Sequence, residues 1–522
     1  MLNLNVGILG HVDSGKTTLA KALSGIASTA AFDKNPQSQQ RGITLDLGFS
    51  ALLVDLPDHL KAHRDGGSEY DRLQYTFVDC PGHASLIRTI IGGAQIIDMM
   101  ILVVDIGKGI QTQTAECLVI GELTCRKMIV ALNKIDTLEE DKRVKVVEKM
   151  KKGLGMALSK TIFASSPIIE ISAASGLNLE RFVEALKGYS FVPERTYGLP
   201  FLFAVDHCFT IKGQGTVCTG TVLQGQIKLN EDVEIPKLKL VKKVKSMQMF
   251  KQSQQIAKQG DRIGICITQF DPKLLERGLL CYPGYVSDIY AAVLQLNPIQ
   301  YYKGIVKHKA KFHITCGYET VMGTVILFKG TDPGFTIAEQ YEFLEELGQD
   351  AAGEVSPILA LLEFERPIQA VSNALVIGSK LDTDIHSSLC RLAFHGKLEY
   401  SCTDKDYSTS FLPQLNIFKE KRKTGTVQRV VNETELIAAG LFKKTGNNRQ
   451  AFLGLKVQLS TGECGVIEDS FGTTSKVRLR FMEPLGKTTL DLLNKKGASE
   501  QVKVEVKYKK YLFRKDGNKV VQ

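Results

Sequence analysis

Gly10-His11-Val12-Asp13-Ser14-Gly15-Lys16-Thr17 fits the phosphate-cradling loop, in which glycines let backbone N–H groups turn toward phosphate oxygens, a lysine meets the β/γ charge and a threonine hydroxyl faces Mg²⁺. Upstream, Leu4 to Gly10 (LNVGILG) is a short apolar run suited to a buried strand. Downstream, Thr17 to Leu23 carries a helical pattern, so the loop falls at the strand-to-helix turn that its mechanism requires. On its own the segment specifies a nucleotide binder and no more.

Three further segments follow in fixed order, Arg41-Gly42-Ile43-Thr44, Asp79-Cys80-Pro81-Gly82-His83 and Asn133-Lys134-Ile135-Asp136. Asp79 ends the apolar run from Tyr75 and so lies at the C-terminal edge of a strand, where ligands collect in open α/β sheets. It can hold Mg²⁺ through water, with Thr17 and Thr44 completing the metal shell. Gly82 has no side chain to block its N–H from a γ-phosphate. His83 is placed to orient a water for in-line attack, because positioning and electrostatics dominate phosphoryl transfer. Asn133 and Asp136 follow the strand-like run Met128 to Leu132, and a carboxylate at Asp136 accepts both the N1–H and the 2-amino hydrogens of guanine. Adenine lacks that donor pair, so GTP and GDP are the expected nucleotides, held by Asp13, Ser14, Gly15, Lys16, Thr17, Thr18, Gly82, Asn133, Lys134 and Asp136. Ser172 and Ala173, after the run Pro167 to Ile171, complete the base pocket with backbone N–H groups.

Alternating strand-like runs (4–10, 75–79, 100–105, 128–132, 167–171) and helical patterns over residues 1–194 predict a doubly wound, mostly parallel α/β P-loop GTPase domain. Residues 57–72, charged and holding a Gly-Gly pair, read as a surface loop. After Pro193 the texture changes to short β-type runs such as GTVCTGTVL, DRIGICI and GTVILF, separated by Gly, Asp and Asn. Three β-barrel-type domains are expected, over 195–287, 288–402 and 403–522.

A chain of 522 residues is too long for one core. No apolar run reaches the length of a membrane-spanning helix, and the N-terminus lacks the features of a secretory leader, so a cytoplasmic protein without membrane contact is expected. The eleven cysteines are scattered, with no Cys-x-x-Cys; reduced, mostly buried thiols are expected. The net charge of +10 is unevenly placed: residues 404–522 hold 23 Lys+Arg against 13 Asp+Glu, and the rest of the chain holds 43 against 43. A basic last domain suits phosphate neutralisation, and Lys503, Lys507, Lys509 and Lys510 are its RNA-contact candidates.

With the Arg-Gly-Ile-Thr and Asp-Cys-Pro-Gly-His segments the chain resembles the translational GTPases. The stretch Asp206-His207-Cys208-Phe209-Thr210-Ile211-Lys212-Gly213-Gln214-Gly215-Thr216-Val217 resembles the second-domain signature of elongation factor Tu relatives. The stretches VKSMQMF (244–250), GDRIGICITQFDPKLLERG (260–278), AKFHITCGYETVMG (310–323) and LDTDIHSSLCRLAFHG (381–396) are similar to the eukaryotic selenocysteine-specific elongation factors.

This resemblance implies a monomeric carrier of selenocysteinyl-tRNA that acts on the ribosome at recoded UGA codons, with GTP hydrolysis timing release. A separate RNA-binding adaptor would link it to the selenocysteine insertion element. It also implies an aminoacyl pocket at Asp206, His207 and Arg262. A selenol is far more acidic than a thiol and is a selenolate at neutral pH, whereas serine is neutral. Arg262 is a permanent cation and His207 can become one, and Asp206 would hold them and raise the proton affinity of His207. The competing readings are another tRNA-carrying GTPase, general or initiator, and a GTP-driven metabolic regulator such as the sulfate adenylyltransferase large subunit. The basic fourth domain speaks against both.

Overall fold

The computed structural model describes residues 1–27, 47–61, 64–65, 68–82, 89, 91, 96–213, 215–317, 319–332, 334–347, 356–382, 390–442, 452–471, 476–494, 502–513 and 522. The expected segments Arg41-Gly42-Ile43-Thr44 and His83 therefore lie outside the described residues. The chain divides into two compact units, the first Met1–Val325 with Gly348–Gly353 and Leu362–Thr403, the second Ile326–Leu347 with Glu354–Leu361 and Asp404–Gln522.

The first unit begins with a sheet of seven strands: β1 (Leu2–Gly10), β2 (Ile26–Ala27), β3 (Gly48–Asp55), β4 (Arg72–Asp79), β5 (Met99–Asp105), β6 (Lys127–Asn133) and β7 (Ile168–Glu170). Their spatial order is β2-β3-β4-β1-β5-β6-β7. β1 is parallel to β4 and β5, and β5-β6-β7 continue parallel, whereas β3 runs antiparallel to β4. All nine residues of β1 are buried, the signature of a strand covered on both faces by crossover helices. Among the helices are α1 (Lys16–Leu23), α2 (Thr112–Thr124), α3 (Glu140–Leu158) and α4 (Leu179–Tyr189). Strand order reverses at β1, so the crevice beyond its C-terminal end is where a ligand is received. The predicted doubly wound sheet is thus present, with one antiparallel strand, β3, lying inside the edge strand β2.

The first barrel is built from β8 (Leu202–Ile211), β9 (Gly215–Gln224), β10 (Asp232–Ile235), β11 (Leu240–Met249), β12 (Arg262–Ile267) and β13 (Gly278–Cys281). The ladder runs β10-β13-β8-β9-β12-β11 and closes where β11 pairs with β10, which removes the open edges of a free sheet. Phe203, Val205, Cys218, Val222, Ile265 and Leu280 fill its interior. Further along, β14 (Ser287–Gln295), β18 (Leu392–Cys402), β17 (Leu375–Ser379), β15 (Ala310–Cys316) and the start of β16 (Glu319–Lys329) pair successively antiparallel.

Buried polar groups join these parts of the first unit. Asn3 and Asn5, two residues apart on β1 and hence on one face, both donate Nδ2 to the Gly260 carbonyl, at 2.6 and 2.8 Å. Arg195 grips Asp98 with two 2.7 Å bonds. Arg391 donates Nε and Nη2 to the two carboxylate oxygens of Glu116 on α2, at 2.9 and 2.7 Å, in a fully buried pair.

The second unit contains a closed six-stranded antiparallel barrel: β19 (Asn416–Asn432), β20 (Glu435–Ala439), β21 (Lys456–Leu459), β22 (Cys464–Phe471), β23 (Lys476–Phe481) and β24 (Lys503–Tyr511), ordered β19-β20-β23-β22-β21-β24. β24 closes it on β19 over the register Phe418↔Tyr511 to Thr426↔Lys503. Val427, Leu436, Leu479, Val504 and Val506 form its core. All eleven cysteines are free thiols, most of them buried. Among the described residues no helix is long and apolar enough to cross a membrane.

Removing one partner of a buried ion pair leaves an uncompensated charge, at a cost of about 3–5 kcal/mol. Arg391→Met should therefore lower the urea midpoint of the first unit's transition by the equivalent of that amount. Adding Glu116→Gln should recover part of the loss, and strictly additive losses in the double variant would show that the two groups are uncoupled.

Candidate functional site

The phosphate loop joins the end of β1 to α1, and its shape is set by close approaches. Gly10 has φ +149° and a side chain there would run into the Val103 carbonyl; Gly15, with φ +94°, caps α1 where a Cβ would collide with the Asn133 amide. Asp13 also lies in the left-handed region, at φ 60°. Lys16 is buried and its Nζ donates to the His11 carbonyl at 2.7 Å. Burial holds its ammonium below the usual lysine range, with the Asp79 carboxylate opposing the shift. A cation so placed gains most from a phosphate that restores its charge. Thr17 Oγ1 donates to Asp79 Oδ2 at 2.7 Å, which brings the two described members of the predicted metal set together. The space beside Gly82 is taken by the Lys16 ammonium, so a side chain at this position would displace that cation. The Ser14 hydroxyl is fully buried and has no hydrogen-bond partner among the described residues. This cradle of glycines, buried cation and unsatisfied donor fits a Mg²⁺-nucleotide phosphate chain.

Asn133 ties this loop to the base-side loops: its Nδ2 donates to the Ser14 carbonyl at 2.8 Å and its Oδ1 accepts from the Ala173 N–H at 2.9 Å. Lys134, at φ 69°, starts a short 3₁₀ turn over Ile135–Thr137 and its Nζ meets Asp105 Oδ2 at 2.9 Å. Burial pushes the Asp105 carboxyl up, but bonds from Lys134 and the Gly107 N–H outweigh it and hold it below the carboxylate range. Asp136 and Thr18 are exposed, and Ser172 is buried with its Oγ accepting from the Ser175 N–H at 3.2 Å. Gln113, on α2, has no place in any of the four segments, yet its Oε1 accepts the Val12 N–H at 3.4 Å. A bond across 101 residues leaves no signal in the sequence.

A second constellation lies where β8 of the first barrel faces the α/β sheet. The β8–β9 register shifts between Val205 and His207: Val205 pairs with Gly220, His207 with Thr219, and Asp206 is the extra residue. Such a bulge re-aims side chains and breaks the strict in-out alternation. Asp206, buried, forms an ion pair with the Arg262 guanidinium from the start of β12. Arg262 Nη1 also lies 3.5 Å from Thr221 Oγ1, and its Cζ sits 3.0 Å from the centroid of the Phe49 ring on β3. Arg262 Nη2 is buried without a hydrogen-bond partner among the described residues. His207, the next residue after Asp206, is half-buried. Arg262 is thus a buried, fixed cation with one donor unused among the described residues, a chemistry that suits an anionic partner. The resemblance pointed to Asp206, His207 and Arg262; the bulge and Phe49 leave no local signal in the sequence.

In the second unit the predicted lysines divide between faces. Lys503, Lys507 and Lys509 alternate with buried Val504, Val506 and Tyr508, while Lys510 has the opposite parity. Lys509 Nζ is engaged by Gln340 Oε1 at 2.9 Å and lies 4.6 Å from the Phe418 ring centroid. Arg422 stands directly opposite Lys507, and Lys419 opposite Lys510. Both like-charge pairs are compensated by carboxylates: Lys419 Nζ meets Glu345 Oε2 at 2.6 Å, and Arg422 meets Glu420 Oε1 at 3.2 Å and Glu505 Oε1 at 3.7 Å.

Comparison with known proteins covers most of the chain. Residues 2–191 match the model of the elongation factor Tu GTP-binding domain and 215–279 that of elongation factor Tu domain 2. Residues 293–396 match the third domain of eukaryotic selenocysteine-specific elongation factors, and 413–517 the eEFSec C-terminal RIFT domain. The chain is 50% identical over 520 residues to the selenocysteine-specific elongation factor of Mus musculus, covering 92% of this chain and 88% of that protein. It is 39% identical over 334 residues to the one of Methanocaldococcus jannaschii, covering 63% and 67%. The crystal structure of translation elongation factor SelB from Methanococcus maripaludis in complex with the GTP analogue GppNHp superposes with a TM-score of 0.71 at 26% identity, over 98% of this chain and 99% of that one.

Asn133→Ala removes two buried hydrogen bonds that hold the phosphate loop to the base loops, at roughly 1–3 kcal/mol in total. GDP and GTP affinities, read by titration with fluorescent nucleotides, should fall together by about ten- to a hundredfold. A loss confined to GTP would place Asn133 at the γ-phosphate instead.

Proposed function

The chain belongs to the selenocysteine-specific elongation factors, and we propose that it recognises its cargo through the buried Asp206–Arg262 pair and its neighbour His207. It is a translational GTPase that uses GTP and Mg²⁺ to deliver selenocysteinyl-tRNA to the ribosome. The observation that carries the pocket reading is the Arg262 Nη2 donor, buried and unsatisfied beside a carboxylate that neutralises only part of its reach. A selenolate supplies the missing acceptor. A seryl hydroxyl leaves the cation under-compensated, and forgoing such a charged interaction costs on the order of 2–5 kcal/mol.

In the nucleotide site, Asp13, Ser14, Gly15, Lys16, Thr17 and Thr18 hold the phosphates, with Gly82 offering its N–H. Thr17, Thr44 and Asp79 hold the Mg²⁺, which when bound neutralises charge on the phosphates. Asn133, Lys134, Asp136, Ser172 and Ala173 form the guanine side. His83 orients the attacking water once the ribosome moves it past Val12 and Ile43. Gln113, by accepting the Val12 N–H, ties Val12 to α2.

The basic barrel of the second unit contacts RNA through Lys503, Lys507, Lys509 and Lys510. A separate adaptor links the carrier to the insertion element at recoded UGA codons. The protein works in the cytoplasm as a monomer.

Selenocysteinyl- and seryl-tRNA on the same tRNA body should differ in affinity by at least tenfold for the GTP-loaded protein, and Arg262→Met should bring the ratio near one. A ratio near one for the unaltered chain would refute the selenocysteine pocket. Replacing Lys503, Lys507, Lys509 and Lys510 with Gln should flatten the salt dependence of RNA binding, by roughly 0.7–0.9 in log–log slope for each phosphate that is no longer neutralised. An unaltered slope would make them solvated surface.

A further inference from the structure

Residues that stand directly opposite one another on an antiparallel ladder put their side chains on the same face of the sheet, close enough to react. In the first barrel the β8–β9 register sets Cys208 opposite Cys218, and their Sγ atoms lie 3.2 Å apart. A disulfide needs an S–S bond of about 2.0 Å between Cα atoms about 4.4–6.8 Å apart, a span that opposed antiparallel residues meet at about 4.5–5.5 Å. The pair therefore closes by small side-chain rotations, with no change of register.

The two thiols differ in access. Cys218 belongs to the barrel core and is fully buried, whereas Cys208 packs against that core and is partly exposed. Two residues beyond Cys208 the strand has left the core, with Thr210 and Ile211 exposed. A small oxidant thus meets Cys208 first and reaches Cys218 only through it. The hydrogen bond to Cys208, together with burial, pushes the Cys218 thiol up, so Cys218 keeps its proton until a reactive sulfur is in contact with it.

We propose that Cys208 and Cys218 form a redox modification site, a dithiol that a hydroperoxide converts to a cross-strand disulfide and that a thiol reductant restores. The Cys208 thiolate attacks a peroxide oxygen and the O–O bond breaks. Its sulfur is oxidised to a sulfenic acid, and the peroxide is reduced to hydroxide, which takes up the proton that Cys208 gave to water. The Cys218 sulfur then attacks the sulfenic sulfur, the S–O bond breaks, and the Cys218 proton leaves with the hydroxyl as water. In sum, two thiols and one hydrogen peroxide give one disulfide and two waters. Thiol–disulfide exchange with a dithiol reductant reverses the change. Because Cys218 is already in contact, Cys208 stops short of the sulfinic acid that thiols do not reduce. The bridge also closes the ladder Phe209↔Val217, Thr210↔Thr216 and Ile211↔Gly215 into a covalent loop, which opens less readily than the free hairpin.

Cleavage after Lys and Arg separates the pair at Lys212, giving peptides 196–212 and 213–228 with one cysteine each. The test treats the reduced full chain with equimolar hydrogen peroxide, alkylates the remaining thiols, and reads the digest by mass spectrometry. Cys464, which is exposed, reports that the oxidant has acted. The expected result is the two peptides joined, parted again by dithiothreitol, with slower amide exchange over 209–217 in the oxidised chain. In Cys218→Ala, Cys208 should instead gain two oxygens, and in Cys208→Ala, Cys218 should stay reduced. Three results in the unaltered chain overturn the proposal: both peptides alkylated and separate once Cys464 has reacted, Cys208 over-oxidised beside a reduced Cys218, or Cys208 joined mainly to another cysteine. Oxidation of Cys218 in Cys208→Ala as readily as in the unaltered chain overturns it too. The unaltered chain decides the matter where a variant does not fold.

Discussion

A guanidinium removed from water must be compensated, and Arg262 is compensated by groups from two different folds. Asp206 comes from the first barrel and Phe49 from the α/β sheet. Taking such a charge out of water costs several kcal/mol unless geometry and partners are both good, so Arg262 favours the contact of barrel and sheet that keeps both partners on it. The Asn3 and Asn5 amides on Gly260 and the Arg195–Asp98 pair serve the same seam. Within the first unit, the buried Arg262 pair and the Lys16–Thr17 loop therefore both rest on one sheet, through Phe49 on β3 and Asp79 on the adjacent β4.

That arrangement explains why a short strand edge matters. β3 is antiparallel in an otherwise parallel sheet, and its first residues lie level with the end of β4, where Asp79 accepts Thr17. The ends of parallel strands gather ligands; the antiparallel neighbour β3 starts there, and the side chain of its second residue, Phe49, meets Arg262 of the barrel.

Much of the nucleotide site was legible because its chemistry is written in contiguous residues. Lys16 and Thr17 follow one another in a loop, and Asp79 and Gly82 mark a strand end. The doubly wound sheet was equally readable from its apolar runs, and the barrels from the short β-type segments after Pro193. What stayed hidden is long-range. The extra residue at Asp206 is a register property of β8 against β9, and no local pattern announces it. Phe49 reads as one more apolar strand residue, and only packing places its ring on a guanidinium. The four lysines of the last strand looked like a single cluster, yet the two-residue period of β24 sends Lys510 to the other face. Charge counting finds a basic domain without resolving its sides.

The Gly260 carbonyl has two lone pairs, and the Asn3 and Asn5 amides use both. Separating barrel from sheet at this point gives up both bonds together, so two amide donors and one carbonyl need other partners before the seam can open.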